Sequence, residues 1–536
     1  MEVLILQMMK TFLITAAVFF GVCLIYILIM LSSTDNYFTY LLDDAYIHMS
    51  IAKNFSTYGV WGITRYAFSS SSSSPVFTFI LSVLIAVFGN QILIPLIFNL
   101  ITAGFLIFLL NKYYIHFFGQ KPIVIVASLF TLFLAVLHVQ VMTGMEHILH
   151  ALMVAINIYY FQQWSESHFK NNRFSYGFYT TIALLGLIRF ESMFYFVALA
   201  FVFFITKNVR NALLVLILGF APVFVFGYFN YGKTGYFLPN SVVLKGPLLD
   251  LSENMGKQII EIFVERILIN LSFYKIGLFP LLISIALVAK DYKKGTGLQK
   301  IILHHFLIIA WCLVLLMHSI SGRLTGIFRY EAYLLVAFSM ILIPKLKLFL
   351  VHPLAALKAE KVIGLFVVAN FILLIYKSGY AHLIIANGSA NVYQQQIQSA
   401  RFLKKYYNNS KVVANDIGAI SYFTDIHLLD FMGLGSNEIV HFRANTKKLD
   451  EDFYGFLSQY SEKENYKLAI AYEEWLDWQT PENWRKVARL EISGRNLVLG
   501  EKHLFIYSID PRIHDSLKQN IKSFRWDKNV KVTLLE

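Results

Sequence analysis

Long apolar blocks separated by short polar gaps fill the first 377 residues of the chain. A helix crosses the hydrocarbon core of a bilayer with about 20 apolar residues, and the blocks reach or approach that length. Spans are predicted at 11–31, 91–111, 122–140, 147–163, 175–188, 192–206, 211–230, 274–290, 301–319, 328–344 and 362–377. The apolar run 76–88 is too short to cross comfortably and is interpreted as interfacial or re-entrant. Residues 1–377 are therefore predicted to form a polytopic α-helical membrane domain with about eleven transmembrane helices.

The pattern changes after about residue 378, where helix-like and strand-like stretches of mixed polarity alternate. The segment 394–407 has the apolar periodicity of a helix, and 415–418 resembles a turn into another helix. Strands are predicted at 411–414, 467–472, 487–492 and 504–508. Residues 378–536 are thus predicted to be a C-terminal soluble α/β domain.

Composition and charge fit this division and fix an orientation. Of all residues, 57% are hydrophobic and 15% are charged, which is too little charge to cover a soluble protein of this size. The net charge of +13 is concentrated in short gaps between blocks, at 112–121, 170–173, 207–210, 290–300 and 345–361. Because basic short loops stay cytoplasmic, the amino terminus is expected inside, and the C-terminal domain outside. The outer segment 231–273 is expected to be irregular with one helix. This charge placement argues against nucleic acid as a partner.

Asp43 and Asp44 are adjacent carboxylates at the start of a predicted amphipathic helix that continues to Phe55. Two neighbouring carboxylates repel each other, so one tends to keep a raised pKa. A carboxylate in this state suits a general base. The alternative interpretation is a helix cap, which explains one aspartate more easily than two.

Two further ionisable groups lie at outer ends of predicted spans. Glu146 and His147 follow Gly144 between two apolar blocks, and Arg189 and Glu191 interrupt an otherwise apolar run. Charges placed between apolar runs are costly and often belong to a site. The alternatives are an ordinary exposed loop for the first group and an ion pair at a helical hairpin tip for the second.

Cations and an amide complete the candidate chemistry. Lys245 ends a glycine- and proline-containing loop that also carries Asn240, and Arg329 and Tyr330 stand at the mouth of a late span. Lys245 and Arg329 are candidates for binding a phosphate. The alternative is that both basic side chains reach to lipid headgroups, as is common at helix ends.

The sequence also argues against several kinds of cofactor. It has no glycine-rich loop of the kind that cradles phosphates, so a nucleotide sugar or ATP is not expected. Adjacent His304 and His305 lie inside a predicted span and are expected to pack or hydrogen-bond there, and no metal site is predicted. An outward-facing transferase without a nucleotide needs a donor already activated in the membrane, such as a sugar on a polyprenyl phosphate.

The combination of these segments resembles the polyprenyl-phosphate-dependent GT-C glycosyltransferases. It looks most similar to the branch with the terminal arabinofuranosyltransferases of mycobacterial cell walls and similar enzymes of pilins and surface glycans. The matching segments are 43–47, 52–54, the serine run ending at Ser74 and Pro75, 144–146, 189–191, 238–245, 413–422 and 430–434. Phe190 replaces the family's usual proline and Ser241 its threonine.

The resemblance implies a GT-C fold and a set of roles. Asp43 would be the catalytic base, while Asp44 and Glu146 would position the acceptor or stabilise positive charge on the sugar. Phosphate-binding roles would belong to Lys245, Arg329 and Arg189. Further substrate contacts are expected from His48, His147, Glu191, Asn240 and Tyr330.

The implied activity is transfer of a sugar, arabinofuranose in the resembling branch, to a periplasmic glycan or protein at the bacterial inner membrane. The partners are then a polyprenyl-phosphate sugar, the acceptor and membrane lipid. Two alternatives stay open: transfer of a hexose or aminosugar to lipid A or protein, and transport of a lipid-linked sugar. In addition, the C-terminal domain could be a module that binds acceptor glycan, which would be compatible with catalysis.

Overall fold

A computed structural model describes residues 2–244, 254–322, 324, 328–445 and 449–535 of the chain. Its N-terminal part is a bundle of helices, and its C-terminal part is a sheet flanked by helices. The bundle contains the helices α1 Glu2–Ser32, α2 Asp44–Tyr58, α3 Pro75–Phe88, α4 Ile94–Phe118, α5 Lys121–Leu134, α6 Leu137–Thr143, α7 His147–Glu166, α8 Asn172–Ile188, α9 Ser192–Ile205, α10 Val209–Thr234, α11 Asn240–Val243, α12 Met255–Phe263, α13 Leu271–Ile276, α14 Leu278–Lys293, α15 Leu298–His304, α16 Phe306–Ser321, α17 Ala332–Lys345, α18 Lys347–Val351, α19 Pro353–Ala359 and α20 Lys361–Val392.

The apolar blocks of the sequence coincide with these helices. Among the described residues, four helices are long and apolar enough to cross a membrane: Leu6–Ser32, Ile94–Phe118, Val209–Thr234 and Lys361–Tyr406. The number rises to six if the bent pairs α5–α6 and α15–α16 each count as one span. Shorter apolar helices, including α3, α9 and α17, surround them. A multi-pass helical membrane domain is supported, while the count of about eleven spans stays a prediction.

The segment 231–273 is more helical than expected. Its described residues contain α11 and α12, the second continued by the π-helical turn Val264–Leu268, where the sequence analysis predicted one helix. Lys245, a predicted phosphate ligand, lies outside the described residues.

The C-terminal part is built around one six-stranded sheet, as the alternating pattern predicted. Its strands are β1 Lys411–Ala414, β2 His427–Asp430, β3 Leu468–Ala471, β4 Arg485–Ile492, β5 His503–Ser508 and β6 Val530–Leu534. The order is β2-β1-β3-β5-β4-β6, with β1 parallel to both of its neighbours and the remaining pairs antiparallel. The helices are α21 Gln398–Tyr406, α22 Gly418–Phe423, α23 Asn437–Asn445, α24 Glu451–Lys463 and α25 His514–Ser523.

The two parts of the chain are joined by a continuous helical segment and by a shared hydrophobic core. Helix α20 continues through the π-helical turn Tyr393–Ile397 into α21, so the predicted boundary between residues 377 and 378 lies inside a helical segment. The core beneath one sheet face includes Ile47 and Ile51 of α2 together with Val412 and Ile470 of the sheet. Burial of this shared apolar surface stabilises the docking of the C-terminal domain on one end of the bundle.

Candidate active site

A cavity of about 150 Å³ lies where the helix bundle meets the C-terminal domain. Its wall is assembled from segments far apart in sequence, and only the fold brings them together. The lining residues are Asp44, Ile47, His48, Ser71, Ser73, Met145, Arg189, Phe190, Glu191, Met193, Phe194, Ser241, Val242, Ser321, Gly322, Tyr330 and Leu434. Five of the predicted site residues are in this set: Asp44, His48, Arg189, Glu191 and Tyr330.

Glu146 lies directly behind the cavity wall and is fully buried. The turn that carries it depends on Gly144, whose φ of +68° is left-handed and whose Cβ position would be 2.5 Å from the Tyr40 ring. One carboxylate oxygen forms an ion pair with Arg189 and accepts a 3.3 Å hydrogen bond from Ser73. The other lies 3.4 Å from Nε2 of His48. Glu146 therefore organises residues that line the cavity.

Arg189 is held between two carboxylates. Besides its ion pair with Glu146, its Nε donates to Glu191 at 3.0 Å and its Nη2 forms a second contact with the same carboxylate. The Arg189–Glu191 ion pair at the α8–α9 hairpin tip was one alternative given by the sequence, and it is present. This ion pair also compensates the charge of Arg189 at the cavity wall. A buried guanidinium without partners would cost several kcal/mol of stability, on the order expected for an unpaired buried charge.

Arg329 joins the cavity through Asp44. The Arg329 and Asp44 side chains form an ion pair. The Arg329 guanidinium lies 4.9 Å from the centre of the Tyr330 ring, and the Arg189 guanidinium lies 5.5 Å from the same ring centre. Nε of Arg329 is buried and has no hydrogen-bond partner among the described residues. An arginine with an unused donor beside a cavity is suited to an anionic ligand.

Asp43 does not line the cavity but contacts the C-terminal domain. Its Oδ2 accepts a 2.6 Å hydrogen bond from the backbone N–H of Gly418, and its Oδ1 a 2.8 Å bond from Ala419. Its side chain makes no capping hydrogen bond to α2, so the cap predicted as an alternative is made instead to the start of α22. Burial raises the pKa of Asp43 to about 6, and repulsion from Asp44 adds to the shift.

The remaining predicted residues have supporting positions. His48 is hydrogen-bonded through Nδ1 to Thr78 at 2.8 Å, which leaves its Nε2 toward Glu146. Buried His147 packs beside Tyr330 with ring centres 6.2 Å apart. Asn240 is buried away from the cavity and donates to the carbonyls of Gly433 and Leu434 at 3.3 Å each.

Sequence reasoning missed residues of the serine run and the C-terminal domain as site components. Ser71 and Ser73 line the cavity, and Ser71 donates to the carbonyl of Leu434 at 2.7 Å. Leu434 itself also lines the cavity. The serine run was visible as a motif, but its role required knowing that the C-terminal domain lies over it.

Three potential metal ligands lie together elsewhere, in a place where no metal site was predicted. Atoms of Asp291, His304 and His305 are within 4.8 Å of one another. Lys345 lies 3.3 Å from Nε2 of His304, and Lys294 lies 3.4 Å from the Asp291 carboxylate. Because ammonium groups already contact these ligands, we interpret the group as an ion-pair cluster.

Comparison with known proteins supports the architecture. A family model described as a domain of unknown function (DUF8728) matches residues 390–507, which cover the π-helical turn and most of the sheet. No curated protein matches the chain. The crystal structure of ArnT from Cupriavidus metallidurans bound to undecaprenyl phosphate is similar over 92% of this chain and 98% of that chain, with 10% identity and a TM-score of 0.50. Archaeal oligosaccharyltransferase AglB from Archaeoglobus fulgidus, in complex with an inhibitory peptide and a dolichol-phosphate, aligns over 92% of this chain and 74% of that chain, with 12% identity and a TM-score of 0.43. The likeness to ArnT over nearly the full length of both chains shows that this chain shares the fold of that protein.

Proposed function

We propose that this protein is an integral membrane glycosyltransferase that uses a polyprenyl-phosphate sugar as donor. The observation that carries the proposal is the pairing of Asp44 with Arg329 beside a cavity between the helix bundle and the C-terminal domain. Such a cavity offers a carboxylate for the sugar and a guanidinium for the phosphate within one site. The similar structure of ArnT contains undecaprenyl phosphate, which supports a lipid-phosphate donor.

In the proposed reaction, an acceptor hydroxyl attacks the anomeric carbon of the donor sugar. The hydroxyl proton passes to a carboxylate, a glycosidic bond forms, and the bond between the anomeric carbon and the phosphate oxygen breaks. Arg329 would stabilise the departing phosphate, and we propose the same role for Lys245, which lies outside the described residues. Because the Arg189 guanidinium already binds two glutamates, Arg189 would act on the phosphate through the electrostatic field of its positive charge at the cavity wall.

Asp43 is the proposed general base. Its pKa of about 6 is close to neutral pH, where a base is most effective. The Asp44 carboxylate is engaged by Arg329 and lines the cavity, and we propose it as the partner for positive charge on the sugar ring. Binding of the donor phosphate to Arg329 would loosen this ion pair and free the Asp44 carboxylate for the sugar.

The finer proposal concerns the substrates. We propose arabinofuranose as the sugar and a periplasmic glycan or pilin-like protein as the acceptor, on the resemblance of the motifs at 43–47, 144–146 and 189–191. The active site would then face the periplasm from the bacterial inner membrane. Transfer of a hexose or aminosugar from the same kind of donor is the second candidate, and the fold shared with ArnT is compatible with it.

The test is release of polyprenyl phosphate from synthetic polyprenyl-phosphate arabinofuranose by the purified full-length protein in nanodiscs. We expect the wild type to form product, with a rate that falls as the pH drops through about 6 because Asp43 becomes protonated. Asp43→Asn should lose at least about 100-fold in rate, the usual contribution of a general base.

The control is Asp515→Asn, the same change at an exposed carboxylate of the C-terminal domain. A well-folded Asp43→Asn protein with full activity would refute the assignment of the base. Activity with hexose donors alone would refute the pentose and leave the reaction class intact. Translocation of the intact donor without a new glycosidic bond would identify a transporter instead.

A further inference from the structure

The C-terminal domain places a second carboxyl group beside the proposed base. Asp416 lies in the turn between β1 and α22, two residues before Gly418, whose N–H binds Asp43. This turn is pressed against α2: a Cβ on Gly418 would be 2.1 Å from the Asp43 carbonyl oxygen. The docking is reinforced by a 2.8 Å hydrogen bond from Tyr422 to Asn90. Both aspartates therefore lie at the contact between the two domains.

The hydrogen bonds around Asp416 can be counted. Its Oδ2 lies 2.9 Å from the Tyr472 hydroxyl oxygen and 2.9 Å from Nε2 of Gln396. The same hydroxyl also contacts Oε1 of Gln395 and lies 2.8 Å from Nε2 of Gln396. The Gln395 amide is oriented by the Glu501 carbonyl, to which its Nε2 donates at 3.2 Å, so its Oε1 is an acceptor.

With a 3.3 Å contact between Nε2 of Gln396 and Oε1 of Gln395, the group has five contacts, and the neutral side chains provide three hydrogens. Tyr472 has one hydroxyl hydrogen and Gln396 has two amide hydrogens. The Tyr472 hydroxyl hydrogen can serve only one of its contacts with Gln395 and Asp416, because both partner atoms are acceptors. The other contact between two oxygens lacks a hydrogen unless the Asp416 carboxyl carries one. Turning the Gln396 amide over would remove two hydrogens from the group and enlarge the deficit.

Asp43 has the opposite environment. Both of its carboxylate oxygens accept backbone N–H bonds, at 2.6 and 2.8 Å, and such bonds favour the ionised form. The charged and titratable groups around the two aspartates are Asp44 with its partner Arg329, Asp430, Tyr46 and Tyr472. Burial, followed by repulsion from Asp43, raises the pKa of Asp416 well above its ordinary value and outweighs a hydrogen bond with Tyr472 that lowers it.

We propose that Asp416 is a positioning residue of the transfer reaction that stays protonated at neutral pH, so that the single negative charge of the pair resides on Asp43. This rests on the proposed function, in which Asp43 accepts the proton of the attacking hydroxyl. Asp416 keeps its own proton throughout, and after product leaves, Asp43 releases the acquired proton to water. The C-terminal domain thus contributes to the chemistry through the charge state of the base.

The first test needs no substrate. A carboxyl whose pKa is raised on folding stabilises the native state below its unfolded pKa, and that stability is lost as pH rises through the folded pKa. We therefore expect the melting temperature of the full-length protein in detergent to fall between pH 6 and 9 more steeply in the wild type than in Asp416→Asn. The control Asp515→Asn should follow the wild type. Parallel curves for wild type and Asp416→Asn would overturn the proposal.

A second variant, Tyr472→Phe, tests the direction in which the midpoint of the pH-dependent loss of stability moves. In Tyr472→Phe, a protonated Asp416 loses the oxygen to which it donates, so the midpoint of the pH-dependent loss of stability should move to lower pH. An ionised Asp416 would instead lose a donor, and the midpoint would move to higher pH. The second result would overturn the proposal even if Asp416→Asn did not fold.

The activity assay then tests the role in the reaction. Asp416→Asn, which mimics a protonated carboxyl, should keep the fall in rate near pH 6 that belongs to Asp43. It should also lose any decline of the wild-type rate at high pH. Loss of activity in a folded Asp416→Asn protein would show that an ionised Asp416 is required and would refute the inference. Absence of transfer in the wild type would refute the proposed function, while the two stability measurements would still decide the protonation of Asp416.

Discussion

Gly418→Ala tests directly whether the C-terminal domain is docked on Asp43. A Cβ at this position would lie 2.1 Å from the Asp43 carbonyl oxygen and 2.7 Å from its Oδ2, whereas side-chain Cβ contacts stay above 3.0 Å. The first of these atoms belongs to the backbone and cannot rotate away. The start of α22 must therefore move by about 0.9 Å, the difference between 2.1 and 3.0 Å.

The size of the effect follows from what this movement breaks. The Gly418 and Ala419 N–H groups now bind Asp43 at 2.6 and 2.8 Å, and a shift of that size takes both to or beyond the limit of a hydrogen bond. Each hydrogen bond to a charged group is worth about 1.5–3 kcal/mol. Because one can partly re-form, we expect Gly418→Ala to destabilise the docked domain by about 3 kcal/mol.

Thermal unfolding followed by tryptophan fluorescence, together with transfer activity, measures this effect. Gly455→Ala is the matched control, because Gly455 lies inside α24 and its Cβ position has no atom within 4 Å. Alanine is the better helix former, so that variant should be stabilised by about 0.5–1 kcal/mol. If Gly418→Ala had the same melting temperature and the same turnover rate as the wild type, the contact between Asp43 and α22 would be refuted.

Two other changes probe the ion pairs of the site. Arg329→Gln removes the guanidinium that pairs with Asp44 and is the proposed phosphate ligand. It should raise the KM for the donor at least about tenfold, measured by titrating the donor, and Arg329→Lys should raise it less. Glu146→Gln removes one of the two carboxylates that pair with buried Arg189 and should lower the free energy of unfolding by about 3–5 kcal/mol. The control Glu166→Gln, at the surface, should change it very little. Equal melting temperatures for the two variants would contradict the buried ion pair between Glu146 and Arg189.

The sequence predicted the helices and most strands because their signals are local. Apolar blocks of membrane length and the alternation in 487–492 are visible within one segment, and the structure has helices and strands there. Strand β2 was missed because it has no β-branched residue, whereas the equally short β1 has Val412 and Val413. Strand β6 has alternating Val530, Val532 and Leu534, a signal that was present but not used.

The candidate site was only partly predictable, because its contacts join distant segments. The ion pair between Asp44 and Arg329 spans 285 residues, and the bond between Asp43 and Gly418 spans 375. No spacing in the sequence shows that two such residues meet. Adjacent Asp43 and Asp44 looked like one functional unit, yet Asp44 faces the cavity and Asp43 faces the C-terminal domain.

These contacts bear on whether the C-terminal domain is a separate acceptor-binding module. A module attached by a linker would leave the cavity and the carboxylate pair complete without it. Here Leu434 forms part of the cavity wall, and Gly418 and Ala419 bind the proposed base. Asp430 fixes the loop that carries Leu434, accepting N–H bonds from Met432 and Gly435 at 2.9 and 2.7 Å, so a change in this loop alters the cavity itself. Because the wall and the base both depend on this domain, substitutions on its inner side should change turnover as well as acceptor affinity, whereas a tethered module would change affinity alone.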